Sequence, residues 1–177
     1  MTINKLEVQS VKKDLDFCQE QVKAGGDWEK RNKLKVYEGL YSIMVRDYKK
    51  TSDLFLDSVA TFSCGDFIDF KQFIFYAVIT SLVSQERQTL KEKVVHNPEI
   101  LTVIREIPHL KSYMESFYKC EYKQFFHDFC EISDMIKKDK YFALNKNHLY
   151  YIKEMRLVAY TQFLKSYKSV TIKSMAS

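Results

Sequence analysis

Apolar residues recur at helical spacing along most of the chain, and the clearest run lies between Asp27 and Phe62. There Leu34, Tyr37, Leu40, Tyr41 and Met44 form one stripe, and after Arg46-Asp47 a second follows through Leu54, Phe55, Ser58 and Val59. Gly25 and Gly26 end what precedes, and Asp27 offers a side-chain acceptor to the orphan N–H groups of the next helix. The segment predicts two amphipathic helices joined by a short turn near Asp47. Such a turn forces antiparallel packing and sets Leu40 and Phe55 facing each other. A lone hairpin cannot bury both flanks, so stacked neighbours are expected.

The pattern continues on both sides. Val8, Val11, Leu15, Cys18 and Val22 alternate steps of three and four over a first helix from Lys5 to Lys23, a stripe narrow enough to meet one neighbour. Gly65 and Asp66 restart the chain, and Phe67 to Ser84, containing FIFYAVITSLV, reads as a helix buried on most sides. A short helix over Gln88–Val95 is expected next. Asn97-Pro98 places a capping residue before a proline at the first helical position, and Pro108 is read as opening another helix in the same way. Two more helices are predicted, Glu121 to Lys137 and Lys146 to Tyr167, the latter with Ile152, Met155, Ala159 and Phe163 on one face. Ser169 to Ser177 begins a further element capped by Thr171 that stops after about one turn, so the chain is expected to be part of a longer protein.

A faint repeat underlies these elements. Asp47-Tyr48-Lys49 with Phe55 recurs as Glu121-Tyr122-Lys123 with Phe129, and Leu40 aligns with Met114, all at an offset of 74 residues. Two units of 37 lie near the tetratricopeptide length, and Gly39 and Phe55 are spaced as that repeat spaces its small and aromatic positions. The fold expected is all-α: stacked antiparallel helical hairpins in a degenerate, tetratricopeptide-like right-handed superhelix.

Composition sharpens this picture. Four Gly and two Pro leave few backbone breaks, so about three-quarters helix is expected against a base rate of about one-third. Thirteen Phe and twelve Tyr make much of the packing aromatic. The N-terminus carries no hydrophobic leader, and the longest uncharged run, Gln72 to Gln85, is shorter than the roughly 20 residues that span a bilayer. Cys18, Cys64, Cys120 and Cys130 read as reduced, mostly buried thiols of an intracellular protein. Net charge is uneven: residues 1–136 carry 19 basic against 21 acidic side chains, and residues 137–177 carry 9 against 2.

That basic last quarter is the candidate site. Lys137, Lys138, Lys140, Lys153, Arg156, Lys165 and Lys168, with Lys146 beside them, form a surface suited to an acidic partner. They interleave with Tyr141, Tyr150, Tyr151, Tyr160 and Tyr167, a pattern that can stack nucleic-acid bases but equally describes helices that bury rings and solvate lysine tips. Catalytic chemistry has little footing. On a continuous helix Cys120, His127 and Cys130 would share a face, yet Cys120 lies about 10 Å from His127, and two ligands make no zinc site. A Cys130–His127 nucleophile pair is the competing enzyme reading, without a recognisable orienting group or oxyanion hole. Core packing of the cysteines, with His127 at a polar margin, is the reading preferred. Asp66 with Asp69, and Asp53 with Asp57, are read as helix caps and surface charge. No phosphate loop, HExxH or GxSxG occurs, and no metal, cofactor or catalytic residue is assigned.

The blocks DWEKRNKLKVYEGLYSIMVRDYKKTSDLFLDSVATF and HLYYIKEMRLVAYTQFLKSYKSVTI resemble the family of regulatory-particle non-ATPase subunit seven, a component of the 26S proteasome lid. The resemblance implies a non-catalytic scaffold for protein degradation. It divides the chain into tetratricopeptide-like repeats over residues 1–110, the helical part of a PCI domain over 111–170, and the start of a truncated winged helix over 171–177. It also implies other PCI-containing lid subunits as partners, residence in cytoplasm and nucleus, and a piece that is monomeric alone; from the residues themselves no membrane role is expected, and a nucleic-acid-binding helical module using the basic C-terminal segment is kept as an alternative of a different class. The paralogous scaffold of the cullin-deneddylating signalosome shares the fold and is the alternative.

Overall fold

The structure, a computed structural model, describes residues 5–25, 27–65 and 67–165. The helices are α1 (Lys5–Lys23), α2 (Trp28–Met44), α3 (Tyr48–Ser58), α4 (Phe70–Ser84), α5 (Arg87–Leu90), α6 (Pro98–Val103), α7 (Leu110–Lys119), α8 (Tyr122–Lys138), α9 (Lys140–Ala143) and α10 (Asn147–Leu164). Among the described residues there is no strand, and no helix is long and apolar enough to cross a membrane. Neighbours in sequence pack as pairs: α1 on α2, α2 on α3, α3 on α4, and α7 on α8. The elements over Thr171 and beyond, and Gly26 and Asp66, lie outside the described residues.

The first hairpin forms where predicted, but the apolar face that α2 buries is Val36, Gly39, Leu40 and Ile43; of the predicted stripe Leu34, Tyr41 and Met44 are only half-buried and Tyr37 is exposed. Asp27 accepts a hydrogen bond from Trp28 N at 2.7 Å and starts α2. Arg46 turns the chain with φ +67°, and Asp47 then accepts from Lys50 N at 3.1 Å to start α3. Asp47 N donates to Ser42 O and Thr51 Oγ1 to Gly39 O, so rising positions on α3 meet falling positions on α2, which is antiparallel packing. Phe55 seats on Gly39, the neighbour of Leu40. A Cβ at Gly39 would fall 2.7 Å from Phe55 Cδ1 and 3.0 Å from Cζ. The glycine is what lets the helices close, and Phe55 is fully buried against Phe73, ring centroids 4.9 Å apart.

The second hairpin repeats the first at the predicted offset. Cys120 takes the place of Arg46, with φ +63°, and Glu121 N donates to Ser116 O as Asp47 N does to Ser42 O. Cys120 N donates to Phe117 O as Arg46 N does to Ile43 O. The Phe129 ring stacks on Tyr113, the counterpart of Gly39, so a ring-on-ring contact takes the place of the glycine seat. The sequence repeat is thus a repeat of turn geometry.

Helix α4 is the centre of the core. Every residue from Phe73 to Leu82 is buried, and α3, α6, α7 and α10 all touch it. Its Thr80 and Ser81 hydroxyls donate to Tyr76 O and Ala77 O, which removes the cost of burying them. Tyr113 and Tyr151 bring their hydroxyls together at 3.1 Å beside it, and Tyr151 also donates to Ile79 O. Burial pushes the Tyr113 and Tyr151 hydroxyls well above the usual tyrosine range.

Some expectations need correction. Pro108 does not open a helix: it sits at the second position of a turn in which Leu110 N donates to Ile107 O and His109 has φ +61°, so α7 begins at Leu110. Proline there suits a turn whose third residue has positive φ. The segment over Gln88–Val95 is one turn of α-helix followed by a wider π-helical turn, Lys91–Val95. Helix α9 was not anticipated. Its signal is Asp139, which accepts from Tyr141 N and Phe142 N and also from the Tyr76 hydroxyl at 2.5 Å, tying the α8–α10 connection to the core. On α10 the fully buried residues include Tyr151, Met155 and Ala159, while Ile152 and Phe163 are only partly covered.

Candidate interaction surface

The first hairpin and the last helix are locked together by one polar side chain. Asn147, fully buried at the start of α10, donates to Ile43 O at 3.1 Å and Met44 O at 3.2 Å, at the carbonyl end of α2. Its Oδ1 accepts from Arg46 Nε at 2.9 Å, and the Arg46 guanidinium lies 5.0 Å from the centre of the Tyr150 ring. The orphan carbonyls at a helix C-terminus need such a partner, and here it comes from about a hundred residues away. The surface formed by α8 to α10 is therefore rigidly placed relative to the first hairpin.

The cysteines depart from the buried reading. Cys64 alone is buried; Cys18, Cys120 and Cys130 are exposed. The cause on α8 is its core stripe of Phe125, Phe129, Ile132 and Ile136, which turns His127 and Cys130 to the solvent side. Cys120 lies outside α8, in the left-handed turn before it, where Arg87 Nη1 approaches its sulfur at 3.7 Å and Gln162 Nε2 at 3.0 Å. The three residues share no site. Among the described residues no three His, Cys, Asp or Glu side chains are grouped to hold a metal ion. Asp69 caps α4 through Lys71 N, and Asp53 and Asp57 pair with Lys49 and Lys93 at the surface.

A polar cluster that the sequence did not announce joins α7 to α8. The buried Asp128 carboxylate accepts from the Ser112 hydroxyl at 2.5 Å and from Gln124 Nε2 at 3.1 Å, with His109 Nδ1 and His127 Nδ1 both 3.6 Å from its other oxygen. Burial pushes this carboxyl up, but the hydrogen bonds from Ser112, Gln124, His127 and His109 together hold it below the usual range. Ser112 is bonded to the carboxylate, so the group is a hairpin clasp and has no nucleophile–base order.

The basic residues are spread along α8 to α10. Tyr122 meets Phe163 and Phe126 meets Tyr160, so α8 and α10 run antiparallel. Lys137, Lys138 and Lys140 stand at one end of this pair and Lys165 at the other, about 24 Å apart at 1.5 Å per residue. Lys137 is bonded to Asp134 at 2.6 Å, and Lys140 lies over the Phe67 and Tyr141 rings at 5.5 and 4.9 Å. Lys153 and Arg156 are exposed at mid-helix on α10. Lys168 and Tyr167 lie outside the described residues.

The family model described as 26S proteasome subunit RPN7 matches residues 1–93. The chain is similar to a rice protein named 26S proteasome non-ATPase regulatory subunit 6, 48% identical over 94% of this chain and 42% of that protein. A Dictyostelium discoideum protein of the same name is 42% identical over 94% of the chain and 43% of its own length. The Saccharomyces cerevisiae 26S proteasome regulatory subunit RPN7 is 36% identical, over 94% of the chain and 39% of its length. The chain thus spans about two-fifths of the length of these relatives.

Proposed function

The chain belongs to the family of 26S proteasome subunit RPN7, and on that premise we propose that its parent protein is a non-catalytic scaffold of the proteasome lid. In this reading it supports lid assembly, and through it ubiquitin-dependent protein degradation, by contacts with other PCI-containing subunits in cytoplasm and nucleus. The single observation that carries it is the hairpin turn whose backbone hydrogen bonds and left-handed residue are repeated at an offset of 74 residues. A module used twice in stacked form builds extended surface and leaves its side chains free for partners. Residues 1–110 then act as tetratricopeptide-like repeats in a right-handed superhelix, residues 111–170 as the helical part of a PCI domain, and 171–177 as the start of its winged helix. The basic residues from Lys137 to Lys165 are the partner-facing cations of this arrangement.

Affinity purification of the tagged full-length protein from cells, followed by mass spectrometry, tests the proposal. Co-recovery of lid subunits in near-equal amounts is expected. Recovery of unrelated proteins alone would refute it.

A further inference from the structure

Helix α10 carries two apolar faces, and among the described residues only one of them is covered. Tyr151, Met155 and Ala159 point into the core. On the opposite side Leu149, Leu157, Tyr160 and Leu164 are 52%, 58%, 42% and 44% exposed. At about 100° per residue these four fall within one stripe some 80° wide, with Lys153 inside it and Arg156 about 20° beyond its edge. The stripe runs about 22 Å, or four turns, along the helix. A helix apolar on both sides belongs between two layers, and the asparagine lock of its first residue holds this one rigid, so the outer face cannot turn inward.

We infer that this face docks an amphipathic helix from a partner protein whose flanks are acidic, an inference that rests on the scaffold reading above and names the partner chemistry for its surface. The charge on the stripe selects the occupant. Lys153 and Arg156 are both exposed, and among the described residues neither forms an ion pair. A second copy of this chain would bring four cations together across a two-fold axis, which opposes pairing. A nucleic acid would gain phosphate contacts, but three leucines on the same stripe offer no base-stacking platform. A partner helix that lays apolar residues at helical spacing between Leu149, Leu157 and Leu164, with Asp or Glu toward Lys153 and Arg156, satisfies every group present.

A photo-crosslinking amino acid placed at Leu157 of the tagged full-length protein in cells tests this. The expected product is a crosslink to a different protein, through a segment with apolar residues at helical spacing flanked by Asp or Glu. Its yield should fall about tenfold in the Lys153→Glu/Arg156→Glu variant, while a far-ultraviolet melt of the purified variant is unchanged. A crosslink to another copy of the chain, to lipid, to nucleic acid or to the protein's own C-terminal region would overturn the inference, as would no crosslink or an unchanged yield. Co-purified lid subunits with no such crosslink would sink the inference alone. An acidic-helix crosslink to a protein outside the proteasome, with no lid subunit recovered, would uphold the inference and sink the scaffold reading.

Discussion

Replacing Gly39 by Ala should destabilise the protein, although alanine is the better helix former. In an ordinary exposed helix the change gains about 1 kcal/mol. Here the added methyl meets the Phe55 ring, with Cδ1 at 2.7 Å and Cζ at 3.0 Å, where carbon atoms rest at about 3.5–4.0 Å. The ring has nowhere to go, being fully buried against Phe73 and under α2. Overpacking costs about 1–3 kcal/mol, and a ring that cannot move puts this case in the upper half, about 2–3 kcal/mol, so Gly39→Ala should lose about 1–2 kcal/mol net, a fall in midpoint of about 2–4 °C per kcal/mol. Phe55→Ala alone should cost about 3–5 kcal/mol. In that background the clash is gone, and Gly39→Ala should become stabilising by up to about 1 kcal/mol. Urea unfolding of the four proteins, followed by far-ultraviolet circular dichroism, measures the coupling, expected at about 2–3 kcal/mol. A Gly39→Ala protein as stable as the parent, or an effect indifferent to Phe55, would refute the close approach.

Other outcomes follow from the same structure. Asn147→Ala removes the side-chain donor to the Ile43 and Met44 carbonyls and the acceptor of Arg46 Nε, and should cost about 3 kcal/mol in urea unfolding; Asn147→Asp, equal in size but unable to donate to carbonyls, should cost at least as much. The Asp128 carboxyl is held below the usual range in the folded protein, so its contribution is present above the unfolded value of about 3.9 and is lost as pH falls through the lower folded value. The stability gap between the parent and Asp128→Asn should therefore be widest above about pH 4 and shrink toward lower pH; a gap that grows with acid would contradict the clasp. Cys130→Ala removes an exposed side chain and should change stability by no more than about 0.5 kcal/mol, whereas His127→Ala removes one contact to the buried Asp128 and should cost about 0.5–1.5 kcal/mol, with recovery of partners unaltered in both.

The sequence carried the hairpins because their determinants are local. Asp27, Asp47 and Asn97 cap the helices they precede, and the offset between Asp47-Tyr48 and Glu121-Tyr122 became a shared turn. Helix α9 and the true start of α7 escaped because their determinants are tertiary. Asp139 caps α9 while also accepting from Tyr76 across the fold, and Pro108 is fixed by a turn completed by a left-handed His109. The exposure of Cys120 and Cys130 was hidden for a related reason. Burial on α8 is set by which stripe faces α7, and the phenylalanines at positions 125 and 129 win that face from the smaller thiol. The basic residues were visible as a count, but the division of α10 into covered and bare apolar faces needed its neighbours in place.

The central claim, a scaffold acting through assembly, is tested most directly by sedimentation of lysates from cells that express the tagged full-length protein in place of the endogenous one. The account predicts that the protein travels with the peptidase activity of the assembled proteasome, that Cys130→Ala and His127→Ala travel there too, and that Phe55→Ala is lost from those fractions. A parent protein that sediments as a free chain, apart from the peptidase, would contradict it.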